Sequence, residues 1–220
     1  MNIVILVYII AMVSLYLIIS VKYKRYRKIK LKKDLSGFDV ARAILDSYDL
    51  NNVYITESKE ILYSNYDHKR KTVRLVKGLF NGKSLTACAV SAMNAVYAIL
   101  DKKKNQLFIF KKDIEQFISL LIYIGYVIII IGSIFGHANT IWVGFGIEML
   151  ITFFYLVTIS TEIEAKNIAL KELIDNKIIN AKEIKRIKEL LTITSLISVA
   201  SVISPFAEII KKAYEYGKSD

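Results

Sequence analysis

Long apolar runs alternate with charged segments along this chain. A helix needs about 20 apolar residues to cross the roughly 30 Å hydrocarbon core of a bilayer. Four runs meet that need, at residues 2–20, 116–136, 139–160 and 191–210. The pattern predicts a multi-span membrane protein that is mainly α, with about four transmembrane helices.

The segment between the first two runs, residues 34–112, predicts a small α+β domain. Ser36 is followed three residues later by Asp39, a pair that resembles a capping box and predicts a helix to about Tyr48. Strand candidates follow at residues 53–57, 61–64 and 72–76, with a polar turn at residues 65–70. An apolar helix at residues 84–100 then ends the domain, and its lack of a polar face predicts burial on all sides.

Residues 161–189 predict a pair of charged helices with a turn near Asn176 and Asn180, folded back on the domain. The predicted organisation is an anchor at 1–20, a basic segment and domain at 21–112, a transmembrane hairpin at 113–160, the helical pair at 161–190, and a last transmembrane helix with its tail at 191–220.

Glu148 lies inside the third apolar run, where an ionisable side chain is costly. Thr140, Thr152 and Tyr155 are near it in sequence. With such partners near at hand, we expect Glu148 to be a structural glutamate, either protonated or hydrogen-bonded, and this is favoured over a functional role.

Composition agrees with a membrane protein that has a cytosolic part. Apolar residues make up 54% of the 220 positions, and 31 Lys and Arg against 20 Asp and Glu give a net charge of +11. The single cysteine, Cys88, excludes an internal disulfide. The two histidines, His68 and His137, are too few for a His-rich metal site.

The basic run at residues 22–33 contains eight Lys or Arg residues directly after the first apolar run. The positive-inside tendency places this run and the domain in the cytoplasm, within a multi-pass protein of the cell membrane. Nucleic-acid binding is disfavoured, because a basic run beside a membrane attracts anionic head groups by about 1 kcal/mol per residue. The expected partners are the lipid bilayer and peptide or membrane-protein partners.

Three blocks of the domain resemble one known family. They are SGFDVARAILD, LYSNYDHKRKTVRL and NGKSLTACAVSAMNAVYAI. Together they are similar to the bacterial membrane neutral zinc metallopeptidases, whose last block carries the motif His-Glu-x-x-His. A later block, FYLVTISTEIEAKNIAL, resembles the family segment that supplies the third zinc ligand. The resemblance implies a zincin-like domain and places Glu162 at the position of that ligand.

The motif itself is degenerate in this chain. Met93 and Tyr97 stand at the two His positions, and Asn94 stands at the Glu position. His at i and i+4 would bind Zn²⁺ on one helix face, and Glu would take a proton from metal-bound water. A thioether, a phenol and an amide do neither near neutral pH. We therefore expect a catalytically inactive pseudopeptidase with no catalytic residue, no bound metal and no cofactor.

Two other interpretations stay open at this point. An active metallopeptidase is possible with zinc as cofactor on rearranged ligands, for which the available side chains are Cys88, His68, Glu162 and Glu164. A small transporter or channel is disfavoured, because the apolar runs contain few charged residues and no broken-helix pattern of Gly and Pro.

Overall fold

The computed structural model describes residues 3–58 and 64–197. Helices dominate these residues, and one small sheet lies among them, which confirms the prediction of a mainly α protein with a minor β component. The helices are α1 (Ile3–Arg27), α2 (Gly37–Asp46), α3 (Lys77–Phe80), α4 (Leu85–Lys102), α5 (Gln106–Ile134), α6 (Ala138–Asp175) and α7 (Ala181–Ser195). The strands are β1 (Tyr54–Ser58), β2 (Asn65–Asp67) and β3 (Thr72–Val76).

The chain divides into two compact units. The first consists of Met1–Ile18, Asp113–Thr158 and Ile197–Asp220. The second consists of Ile19–Lys112 and Ile159–Leu196. The sheet and the motif helix α4 belong to the second unit.

Helix α4 lies at the centre of the second unit. Every residue from Leu85 to Asp101 is buried except Tyr97, which confirms the predicted burial on all sides. Helices α2 and α7 and the sheet pack around it, and the core also takes in Ala165, Ala169 and Leu173 from the end of α6. The charged helical region therefore folds back on the domain, as predicted.

The start of α4 is fixed by hydrogen bonds to the basic segment. The Ser84 hydroxyl caps the helix by accepting from the Ala87 N–H at 3.1 Å. The Leu85 N–H donates to the Ile29 carbonyl at 2.9 Å, and the Leu31 N–H donates to the Lys83 carbonyl at 2.8 Å. These bonds attach the segment after α1 to the helix that carries the motif positions.

The predicted capping box at the start of α2 is confirmed. The Ser36 hydroxyl accepts from the Asp39 N–H at 3.2 Å, and the Asp39 carboxylate accepts from the Ser36 N–H at 2.8 Å. Gly37 follows because no side chain fits there, since an added Cβ would lie 2.2 Å from the Leu79 carbonyl oxygen.

The sheet has the order β1-β3-β2, with β1 parallel and β2 antiparallel to β3. Strand β3 occupies its predicted bounds. The candidate strand at residues 61–64 falls mostly outside the described residues, and the polar turn predicted from residue 65 is wrong over β2. Tyr66 explains the error, because its ring is buried although the residues around it are polar. The three residues form a short edge strand, in which the Asp67 carboxylate pairs across the sheet with the Arg74 guanidinium at 2.7 Å.

The first unit contains the predicted helical hairpin. Among the described residues, two helices are long and apolar enough to cross a membrane, α5 over Phe117–Ile134 and α6. The two helices are joined at Gly136, which adopts a φ of +68°, a left-handed conformation that glycine reaches without strain. Helix α1 covers the first predicted span, and residues 198–210 of the last one lie outside the described residues, so the total of four spans stays a prediction.

Both hairpin helices are longer than predicted. Helix α5 begins at Gln106, and α6 continues beyond residue 160 to Asp175. The reason is that buried Ala165, Ala169 and Leu173 recur every four residues, which continues one helical face through the charged region. The turn predicted at Asn176 and Asn180 is confirmed, with Asn180 as the N-cap of α7.

Of the two states expected for Glu148, protonated or hydrogen-bonded, the described residues do not show the hydrogen-bonded one. Its side chain is buried against Gly125 in the first unit, and within the described part of the chain neither carboxyl oxygen has a hydrogen-bond partner. Thr152 donates instead to the main-chain carbonyl of Glu148, at 2.9 Å. A hydroxyl four residues along a helix is closer to that carbonyl than to the carboxyl end of the side chain.

Candidate functional site

The three degenerate motif positions lie in the buried middle of α4. Met93 is fully buried and Asn94 is 3% exposed. Tyr97, one turn further along, is half-buried. The helix therefore presents positions 93 and 97 on one face, as the i, i+4 spacing requires.

Glu162 reaches the same place from α6. The Tyr97 hydroxyl donates to Oε2 of Glu162 at 2.6 Å. The structure therefore brings together two positions that the family resemblance assigns to zinc ligands, although 65 residues separate them in sequence.

A third side chain completes this cluster. The Lys111 ammonium, on α5, forms an ion pair with Oε1 of Glu162. The two side chains are 2% and 6% exposed, so the pair is nearly dry. Glu162 thus has its negative charge balanced by a lysine of the same unit and shares its second oxygen with a phenol. We refer to Tyr97, Lys111 and Glu162 as the Lys–Glu–Tyr cluster.

Aromatic contacts hold the tyrosine of this cluster in place. The Tyr97 ring stacks on Phe108, with centroids 5.6 Å apart and an interplanar angle of 23°. The Lys112 ammonium lies 5.3 Å from the centroid of the Tyr97 ring, within cation–π range. The phenol is therefore fixed both at its ring and at its hydroxyl.

Asn94, which the family resemblance assigns to the general-base position, has a side-chain amide that cannot act as a base. Its amide nitrogen donates to the Val90 carbonyl at 2.9 Å, one turn back along α4. Its amide oxygen is buried with no hydrogen-bond partner in the described part of the chain. An amide oxygen accepts a hydrogen bond but does not take a proton from water near neutral pH.

These side chains do not fit a zinc centre. Zinc in proteins takes Cys, His and carboxylate ligands. Here the cluster supplies one carboxylate, and the ammonium of Lys111 is already bound to it. Met93 offers a soft thioether, which is better suited to Cu(I) than to Zn²⁺. The arrangement is that of an internal ion pair with a hydrogen-bonded phenol.

The rearranged ligand set is not brought together either. Over residues 3–58 and 64–197, no group of three or more His, Cys, Asp and Glu side chains is placed to hold a metal ion. Cys88 is buried, and this burial raises the pKa of its thiol. Glu164 accepts instead from the Asn105 amide at 3.0 Å.

Sequence reasoning placed Lys111 at the end of the domain at residues 21–112 and assigned it no role. A signal was present in the spacing. Phe108 and Lys111 are three residues apart and both buried, so they share a face of α5 once that helix is extended back to Gln106.

Comparison with known proteins shows the family of this chain. Residues 1–214 match the family model described as "Putative neutral zinc metallopeptidase". The chain belongs to this family. A curated relative in Bacillus subtilis (strain 168), "Putative membrane protease YugP", is 23% identical over 161 residues, which are 73% of this chain and 72% of the relative. No solved structure matches the chain significantly.

Membership confirms the resemblance given by the sequence blocks. The same resemblance assigns Met93 and Tyr97 to the two His positions of the family motif, Asn94 to its Glu position and Glu162 to the third ligand. The family is described as a zinc peptidase family, and in this chain two of the assigned ligand positions, Tyr97 and Glu162, belong to the Lys–Glu–Tyr cluster.

Proposed function

We propose that the protein is a catalytically inactive member of the neutral zinc metallopeptidase family with a binding or regulatory role. The observation that carries this proposal is the ion pair between Lys111 and Glu162. In this proposal a side-chain ammonium replaces the metal cation as the partner of the family's acidic position.

The state of the other motif positions supports the same proposal. A general base must accept a proton from the attacking water, and the amide of Asn94 has no such capacity. A zinc site needs at least three suitable ligands, and neither a thioether nor a hydrogen-bonded phenol replaces imidazole well.

A binding role is supported by the intact packing around the site. Met93 is fully buried and the core of the second unit is continuous from α2 to α7, which supports a scaffold that folds without a bound metal. A family scaffold that has kept its fold while changing its catalytic residues is suited to binding a peptide or a membrane-protein partner without cleaving it.

The proposed setting is the cell membrane, crossed about four times, with the domain in the cytoplasm. Two candidate spanning helices, the eight basic residues at 22–33 and the relative named as a membrane protease support this setting.

One experiment with two measurements tests the proposal. The full chain and a Glu162→Ala variant are purified in detergent, and their zinc content is determined by elemental analysis. We expect no stoichiometric zinc in either protein. The full chain is then reconstituted in vesicles with an active family member, and we expect peptide hydrolysis by that enzyme to change by about fivefold or more, the lower end of usual coupling between sites.

Two results would contradict this. Zinc at one ion per chain, absent from the Glu162→Ala variant, would favour an active metallopeptidase on rearranged ligands. An unchanged rate of hydrolysis by the active enzyme at saturating amounts of this chain would exclude the regulatory role.

A further inference from the structure

A basic cleft lies between the end of α1 and α7 in the second unit. Its volume is about 310 Å³, at the lower end of the range for small-ligand sites. Its lining residues are Lys22, Arg25, Tyr26, Ile29, Arg186 and Glu189. Three cations and one carboxylate leave the lining with two positive charges, contributed by segments about 160 residues apart in the chain.

The carboxylate in this cleft is already neutralised. Lys22 forms an ion pair with Oε1 of Glu189, and the Tyr26 hydroxyl donates to Oε2. The hydrogen bond from Lys22 lowers the pKa of Glu189, so this group stays ionised near neutral pH. These bonds tie α1 to α7 and thereby hold the two arginines of the cleft near each other before any ligand arrives.

The two arginines are available to a ligand. Arg25 and Arg186 are exposed, and in the described residues neither guanidinium makes a hydrogen bond or an ion pair of hydrogen-bond length. A guanidinium presents a planar fork of N–H donors that matches two oxygens of a phosphate group. Two such forks in one cleft favour a phosphate over a carboxylate or a chloride ion.

The position of the cleft along α1, just beyond the first apolar run, favours a phospholipid over a free phosphate. The first apolar run ends at Ser20, and at 1.5 Å per residue Arg25 lies only about 7.5 Å further along α1. The head-group layer of a bilayer extends about 5–7 Å beyond the hydrocarbon. Val21, one turn before Arg25 on the same face, is 64% exposed and offers an apolar surface to an acyl chain.

We propose that this cleft binds the phosphate of an anionic phospholipid between Arg25 and Arg186. The site goes beyond the proposed pseudopeptidase function, and it rests only on the proposed membrane setting, in which the first apolar run crosses the bilayer. It also differs from a general attraction of the basic run to the membrane, because one of its two phosphate ligands comes from α7.

The test compares two double variants of equal charge. Arg25→Gln with Arg186→Gln removes the proposed ligands. Lys24→Gln with Lys188→Gln removes two exposed cations from the same two helices outside the cleft. The full chain and both variants are titrated in detergent with phosphatidylglycerol, with phosphatidylcholine of the same acyl chains, and with inorganic phosphate, and binding is measured by native mass spectrometry.

We expect the natural chain to bind phosphatidylglycerol at least about tenfold more tightly than phosphatidylcholine. The arginine variant should lose that preference, and the lysine variant should keep it. Circular dichroism of both variants checks that they remain folded, as expected for exposed side chains.

Three outcomes would overturn the proposal. An arginine variant that keeps the full preference would remove the cleft as the site. Equal losses in both variants would reduce the effect to net charge. Inorganic phosphate that binds as tightly as phosphatidylglycerol, with loss in the arginine variant alone, would assign the cleft to a soluble phosphate compound instead of a lipid.

Discussion

Two side chains share the carboxylate of Glu162 in a place that is almost completely shielded from water. A buried ion pair adds little stability by itself, since removing both ions from water is unfavourable. Removing only one partner is different, because the other charge then stays buried and uncompensated.

This asymmetry predicts the effect of substitutions in the Lys–Glu–Tyr cluster. Lys111→Met should lower the free energy of unfolding by about 3–5 kcal/mol, because Glu162 loses its counterion. Adding Glu162→Met should restore most of the loss. Lys112→Met is the matched control, because it removes a neighbouring cation that lies over the Tyr97 ring, and it should cost less than Lys111→Met.

Denaturant unfolding in detergent measures these differences. Equal losses of unfolding free energy for Lys111→Met and Lys112→Met would show that the ion pair contributes no more than the neighbouring cation.

The sequence could identify Met93, Asn94, Tyr97 and Glu162, because a family resemblance assigns each position separately. It could not identify Lys111, because its pairing depends on how α4, α5 and α6 pack.

The helices and strands that the sequence predicted well are those with local signals. The capping box fixed the start of α2, and the uniform apolar character of residues 84–100 predicted the burial of α4. Strand β2 was missed, because its single buried residue gives no alternating pattern. The continuity of α6 was not predicted. Residues 161–175 were expected as a separate helix, because their charged residues suggested a break after the apolar run at 139–160.

Contact between α5 and α6 in the hairpin depends on glycine at close approaches. A Cβ added at Gly144 would lie 2.8 Å from the Gly125 carbonyl oxygen and 2.7 Å from Ile129. Gly146, two residues later on the same helix, has open space at its Cβ position. The two positions therefore differ in packing and share the same helical backbone.

Gly144→Ala should destabilise the hairpin by about 1–3 kcal/mol, because the added methyl group forces the helices apart. Gly146→Ala should be neutral or slightly stabilising, since alanine favours a helix over glycine. Thermal unfolding of the full chain in detergent compares the two. A Gly144→Ala protein as stable as the Gly146→Ala protein would show that the helices do not approach this closely.

The second unit joins residues from distant parts of the chain in one core. Leu31, Leu85, Leu173 and Ile187 all belong to it. Cys88 lies in this core at 1% exposure and is the only cysteine of the chain. A thiol reagent therefore reports on opening of the whole unit.

Cys88 should react with a maleimide at least about a hundredfold more slowly in the native protein than in the denatured one, an opening free energy of nearly 3 kcal/mol. Burial raises the pKa of the Cys88 thiol in the folded state, because it favours the neutral form. The contribution of the buried thiol to stability is therefore complete below about pH 8.5, the pKa of an unfolded thiol, and is lost as the pH rises above that value. A Cys88→Ala, Lys69→Cys variant, with the thiol in an exposed turn, is the control that should react at once. Equally fast labelling of native Cys88 would contradict a closed core.

Lys111, which pairs with Glu162, is part of the polypeptide and is therefore present in every newly synthesised copy. An enzyme whose fold is completed by a metal ion matures only as fast as the cell can deliver that ion, and it competes for it with every other metalloprotein. Under the proposed function, Lys111 is the counterion of Glu162, and the chain has no such requirement. We therefore expect newly made copies of this protein to reach their final fold equally well in zinc-starved and zinc-replete cells.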